Sequence, residues 1–334
     1  MRHFVRVAGF VAGLVATTAV LAWGSAGHQT VGAIADRLIV GTNAATQVKK
    51  LLGGDLRTAA VWADCAKGVS RPAGTFKYSV SSKYPECKPF ETPAGQLQMI
   101  DFVKRNWDTC HSAAGEDPCH KQYHYSDVAL ERDSYQKTEI GTSDHDIVSA
   151  IGAAIAVLQG GAASAPFSIV SKKEALRVLS HYVGDIHQPL HVAAIYLDPT
   201  GREVDPDAGT FNPDTKTRGG NQLLDGQNKL HGEWDAVATS LNAAHLGTTG
   251  VAAARQVPLT SGDVAAWPAA WATDTLQVGK AAFKNLTFAT EDGVKHSWPV
   301  TLPPGYSSAR TKLQREQLIK AGARLAQVLE AIFP

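Results

Sequence analysis

Two histidine–aspartate pairs with the same spacing give the first chemical signal in this sequence. In Ser180-His181-Tyr182-Val183-Gly184-Asp185-Ile186-His187-Gln188-Pro189-Leu190-His191, His181 and Asp185 lie four residues apart. On a helix that spacing puts them one turn apart on one face, with Cβ atoms about 5–6 Å from each other. Pro189 ends or bends such a helix, so the turning chain can bring His191 back toward a shared ion. Leu230-His231-Gly232-Glu233-Trp234-Asp235 repeats the His-x-x-x-Asp spacing. The two pairs and His191 together offer five nitrogen or oxygen donors, a mixture that zinc accepts. One such pair in a chain with 12 histidines reads as an ordinary surface helix contact. Two pairs with a histidine between them favour a metal site.

The elements that must hold these groups are mostly helical. From Gly27 to Leu38 the apolar residues Val31, Ile34, Ala35 and Leu38 recur at spacings of three and four, as one buried helix face requires. Similar stripes run through Ile147 to Leu158, Lys172 to Ile186 and Leu313 to Ile332. Leu176, Leu179, Val183 and Ile186 mark an apolar side of the third helix, distinct from the face carrying His181 and Asp185. Long alternating strand patterns are scarce, and only a short extended piece around Tyr123 to Val128 suits a hairpin. The expectation is a mostly α fold with no seam between domains. Irregular stretches from Gly68 to Gly95, Cys110 to Lys121 and Tyr196 to Gly220 are long enough to be candidate walls of a substrate cleft.

The first residues, Met-Arg-His-Phe-Val-Arg, precede an apolar stretch from Val7 to Val20 that is short for a membrane span, which reads as a signal peptide over residues 1–22. Val20-Leu21-Ala22 places cleavage before Trp23, leaving a single exported domain over 23–334. Without Arg2 and Arg6 the remainder carries 30 basic against 31 acidic residues, so bulk charge cannot hold nucleic acid. An anionic substrate must be bound locally, and metal ions would do that. Cys65, Cys87, Cys110 and Cys119 form an even set that favours two disulfides in an exported chain. Of the three possible pairings, Cys65 with Cys87 and Cys110 with Cys119 are preferred. No Cys-x-x-Cys pair supports a cysteine metal site.

Set in order, Trp23-Gly24-x-x-Gly27-His28, Trp62-Ala63-Asp64, His124-Tyr125-x-Asp127, the Gly184-to-His191 run, Gly219-Gly220-Asn221 and Leu230-His231-x-x-Trp234-Asp235 resemble the zinc-dependent single-strand nucleases of fungi and plants, typified by nucleases S-one and P-one. The resemblance implies the α-helical fold shared by zinc phospholipase C and these nucleases, and three zinc ions. One ion would be held by Asp64, His124, His181 and Asp185, and a second by His191, His231 and Asp235. The third would be held by the amine and carbonyl of a mature amino-terminal Trp23, by His28 and by Asp185 as a bridge. It further implies that Asp64 orients the attacking water, that Lys67 meets the phosphate, that Tyr125 stacks on a base, and that Asp127 and Asn221 bond the base edge.

The implied reaction is endonucleolytic hydrolysis of single-stranded DNA and RNA to 5′-phosphorylated products, with 3′-nucleotidase activity, by a monomer. A zinc phospholipase C of the bacterial lecithinase type is the competing reading, and a non-catalytic periplasmic zinc-binding protein a weaker one. Asp at position 235, the Gly219-Gly220-Asn221 element and the Tyr125–Asp127 pair favour the nuclease. His187 is not among the implied ligands and suits a supporting role. His111, His120, His145, His245 and His296 match no motif and read as surface histidines. The loop from His191 to Asn221 is longer than the family minimum.

Overall fold

The computed structural model describes residues 23–112 and 116–334. The leader expected over residues 1–22 lies outside the described residues. Helices dominate, the longest being Ser25–Leu38, Pro93–Arg105, Ile147–Leu158, Lys172–Asp185, Trp267–Ala282 and Tyr306–Ile332. None of the described helices is long and apolar enough to cross a membrane.

Lys172–Asp185 is the central positioning element, and its start is written in the sequence. The Ser171 hydroxyl accepts from the Glu174 N–H at 3.2 Å, and the Glu174 carboxylate reaches back to the Val170 N–H at 3.1 Å. This is a variant of the reciprocal capping box, which satisfies backbone donors that the first turn leaves open. Leu176, Leu179 and Val183 bury one face, leaving His181 and Asp185 to share another. Ile147–Leu158 packs alongside. Its cap, Asp146, accepts from the Ser149 N–H at 3.2 Å and is itself fixed by the Tyr135 hydroxyl at 2.7 Å.

Ser25–Leu38 crosses the carboxy-terminal helix Tyr306–Ile332 closely. A Cβ at Gly322 would lie 2.6 Å from the Ile34 Cβ, so only glycine permits this approach. The crossing anchors the turn that carries His28.

The strands are short. Val128–Ala129 pairs in parallel with Ala193–Ala194, where the sequence suggested a hairpin around Tyr123 to Val128. The residues before Val128 form the short Cys119–Gln122 helix and turns instead. A four-stranded sheet runs in the order Asn228–Lys229, Leu223–Asp225, Trp298–Thr301, Thr287–Phe288. It exceeds the single hairpin expected, and it delivers the chain directly into the Leu230–Asp235 helix. Both preferred disulfides, Cys65–Cys87 and Cys110–Cys119, are present.

Candidate metal centre

Six segments converge on one buried cluster. The Ser25–Leu38 helix brings His28, the five-residue Trp62–Ala66 helix brings Asp64, and Lys172–Asp185 brings His181 and Asp185. The parallel strand pair aligns the two segments just before it. The Ser126 N–H donates to the His191 carbonyl at 2.8 Å, and the His191 Nδ1–H donates to the His124 carbonyl at 2.8 Å. The Leu230–Asp235 helix supplies His231 and Asp235. All eight side chains are buried.

Their donor atoms fall into three groups: His28 with His181 and Asp185; Asp64 with His124 and His181; and His191 with His231 and Asp235. Within each group the atoms lie within 4.8 Å of one another. Asp185 sits between neighbours, with Oδ1 3.2 Å from His28 Nε2 and Oδ2 2.8 Å from His124 Nδ1 and 3.0 Å from His181 Nε2. The His28 and His181 rings stack with centroids 3.7 Å apart.

Whether these residues suit a cation can be judged from their own bonding. Backbone carbonyls fix three imidazoles: His181 Nδ1–H donates to Ala60 at 2.6 Å, His191 to His124 at 2.8 Å and His231 to Gly219 at 2.7 Å. Each Nε2 is then the basic nitrogen, presented inward, as a metal-binding imidazole is oriented by its outer partner. Burial pushes His231 down to about 3 and lowers His191. Burial also raises Asp235 well above the usual carboxylate range, with Gln188 opposing. Asp235 Oδ2, Asp185 Oδ1 and His191 Nε2 are buried without a hydrogen-bond partner. Imidazoles oriented by backbone carbonyls and under-compensated carboxylates, buried together, form a donor set that a divalent cation would satisfy.

Charge partners divide the carboxylates. Burial opposes ionisation of Asp64, but Lys67 and then His181, His28 and His124 outweigh it and hold the group at about 2. The Lys67 ammonium stands 2.8 Å from Asp64 Oδ1. Asp185 is likewise held well below the usual range by His181, His191 and His28, against burial.

Trp23 is fully buried. The next residue's N–H, on Gly24, donates to the Asp235 carbonyl at 2.8 Å. This bond ties the start of the described chain to the end of the Leu230–Asp235 helix. A Cβ on Gly27 would meet the Trp23 Cβ at 3.1 Å, so glycine there lets the indole fold onto the first turn.

The residues expected to contact a base also gather beside the cluster. Gly219 has φ +55°, and a Cβ on it would lie 2.4 Å from the Leu190 carbonyl and 3.6 Å from Asp127 Oδ1. The turn therefore lies against both Asp127 and the His187–His191 segment. Asn221 closes it, donating to the Arg218 carbonyl at 3.1 Å. Burial pushes Asp127 up to about 6, while Lys216 and Arg218 pull the other way. Tyr125 is half-buried.

His187 stands apart. Its Nδ1–H donates to the Val183 carbonyl at 2.7 Å, and Nε2 accepts from the Arg324 guanidinium at 2.9 Å. His120 departs from the surface reading, being buried with neither ring nitrogen hydrogen-bonded. Gln188, which no sequence pattern singled out, donates to Asp235 Oδ1 at 2.8 Å. Its position inside the His-and-Asp run was the available signal.

The family model described as S1/P1 Nuclease matches residues 23–334. Among curated proteins, Endonuclease 4 of Arabidopsis thaliana is 29% identical over 170 residues, covering 48% of this chain and 50% of that protein. The chain thus spans about half the length of that relative. With the family match extending over all but the first 22 residues, the chain belongs to the S1/P1 nuclease family.

Proposed function

We propose that this nuclease hydrolyses single-stranded DNA and RNA endonucleolytically to 5′-phosphorylated products, also acts as a 3′-nucleotidase, and works after export with Trp23 as its first residue. The observation that carries the reading is the three adjoining histidine–aspartate groups, with imidazoles oriented by backbone carbonyls. They suit three zinc ions: Asp64, His124, His181 and Asp185 for one, His191, His231 and Asp235 for another, and His28, Asp185 and the Trp23 amine and carbonyl for the third. Zinc so held would lower the pKa of a bound water and neutralise phosphate oxygens.

The chain's own groups do the rest. Asp64, ionised beside Lys67, can accept a hydrogen bond from the attacking water and orient it. Lys67 is partly exposed and offers its ammonium to a phosphate oxygen. Tyr125 offers a ring face to an unstacked base, while Asp127 and Asn221 offer acceptor and donor atoms to its edge. Burial of the cluster strengthens each of these interactions by keeping bulk water away.

The test compares release of acid-soluble nucleotides from single-stranded DNA or RNA with release of phosphocholine from lecithin. Nucleotide release alone is the expected result. Phosphocholine release without nucleotides would replace this reading with a phospholipase C.

A further inference from the structure

We propose that the disulfide-closed loop from Cys65 to Cys87 is a second subsite for single-stranded nucleic acid, guiding the strand on the Asp64 side of the cluster. The inference rests on the nuclease reading above. Cys65 follows Asp64 directly, and Lys67 pairs with Asp64, so the loop leaves from the edge of the centre. Residues 67–88 carry Lys67, Arg71, Lys77, Lys83 and Lys88 against one acid, Glu86, in a chain whose overall net charge is only +1. Arg71, Lys77, Lys83 and Lys88 are exposed, and none forms an ion pair among the described residues. Exposed cations without an ion pair occur elsewhere too, Lys49, Lys50 and Arg57 among them; what marks this loop is their density against a single acid and its start beside Asp64.

Aromatic rings are interleaved with this charge. The Arg71 guanidinium lies 5.2 Å over the half-buried Phe76 ring, and the Lys83 ammonium 5.4 Å over Tyr84. Phe76 meets Trp107 edge-on at 5.1 Å, and Trp107 stacks on His120 at 5.7 Å. Trp107 is half-buried and His120 buried, so the two rings back Phe76 from inside the fold. The loop is held in shape by its disulfide, by the antiparallel pairing of Val69–Ser70 with Lys77–Tyr78, and by the Tyr78 hydroxyl on Glu91 at 3.0 Å.

Unanswered cations alone would suit many anions. Cations set over ring faces suit a ligand with one phosphate per nucleotide and planar bases free to stack. A duplex offers the phosphates but hides the base faces, and an acidic peptide offers charge without planar rings.

The experiment uses the zinc-loaded mature protein and two substrates of matched sequence, a single-stranded dodecamer and a dinucleotide, over a range of salt. The variants are Arg71→Ser, Lys77→Ser, Lys83→Ser and Lys88→Ser combined, and separately Phe76→Leu. Melting temperatures confirm that each folds. At low salt the combined variant should raise KM for the dodecamer about tenfold, and its salt slope should fall by about 0.7 for each phosphate that a cation no longer neutralises. The dinucleotide, with a single phosphodiester to place at the metal centre, should keep its kcat/KM within about twofold. Phe76→Leu should raise the dodecamer KM with little change in slope. Equal effects on both substrates, or an unchanged dodecamer KM and slope, would overturn the subsite while leaving the nuclease reading intact. A parent protein that cuts neither substrate would overturn both.

Discussion

The amide nitrogen of Gln188 donates to Oδ1 of Asp235 across 2.8 Å while Oε1 of the same side chain accepts from the Leu190 N–H at 2.6 Å. The backbone donor dictates the orientation of the amide, since only oxygen can meet an N–H. With Oδ1 engaged, Oδ2 stands 3.4 Å from His231 Nε2 and has no hydrogen-bond partner. Gln188 therefore leaves Oδ2 to His231, while the Oδ1 that it holds is the oxygen nearer His191 Nε2, at 3.8 Å.

Replacing Gln188 by Leu should leave Asp235 Oδ1 and the Leu190 N–H buried without partners, at about 1–3 kcal/mol each. Zinc affinity should fall roughly 10–100-fold for one ion. Titrating zinc into metal-free protein by calorimetry checks this. Unchanged affinity at every site would show that Gln188 does not orient Asp235.

Asp185 touches His28, His124 and His181, whereas His187, two residues on, is bonded to Val183 and Arg324. Asp185→Asn should therefore lose two ions and more than the ~100-fold in rate that an outer partner costs. His187→Ala should instead destabilise the fold by about 2–4 kcal/mol through a cavity and broken hydrogen bonds, with zinc content kept. Metal analysis beside denaturant unfolding separates the two. Equal loss of zinc in both variants would contradict a bridging Asp185.

An alanine added before Trp23 converts the amine into an amide, which is a poor zinc donor. Such a protein should bind one ion fewer and hydrolyse nucleic acid more slowly. Full zinc content and full rate would remove Trp23 from the ligand set.

His120 carries a pH signature. Burial, then Lys121 and Lys67, push it down to about 3, against 6.5 as its ordinary value. Above pH 6.5 the ring is neutral in both folded and unfolded chains and contributes nothing. As pH falls below that, the unfolded chain binds a proton that the folded one refuses, so stability is lost until the folded value is reached. The loss amounts to about 1.4 kcal/mol per pH unit. His120→Phe should remove it, so the variant's unfolding free energy relative to the parent should rise by about 2 kcal/mol from about pH 7 to about pH 5. A relative stability independent of pH would show that His120 is protonated in the folded protein.

Legibility in the sequence followed the length of each pattern. Ile147–Leu158 has the bounds that its periodicity suggested, because twelve residues over three turns give a stripe time to declare itself. The carboxy-terminal helix begins at Tyr306, ahead of Leu313, because its first turns carry mostly polar and small residues and show no stripe. The four-stranded sheet was missed because its strands are two to four residues long, too short for alternation to register. Local spacing gave His181 with Asp185 and His231 with Asp235. Asp64 and His124 have no such partner in sequence and came only from the resemblance. The bond from Gln188 to Asp235 and the burial of His120 depend on contacts between distant segments.

The most direct test of a three-ion centre is a zinc titration of chelated mature protein, with single-stranded oligonucleotide hydrolysis and bound metal measured together. Activity should be absent without metal, return as zinc fills the site, reach its plateau at three ions per chain, and yield 5′-phosphorylated products. Hydrolysis that survives complete chelation, or a plateau reached with the Asp235 group still empty, would contradict it.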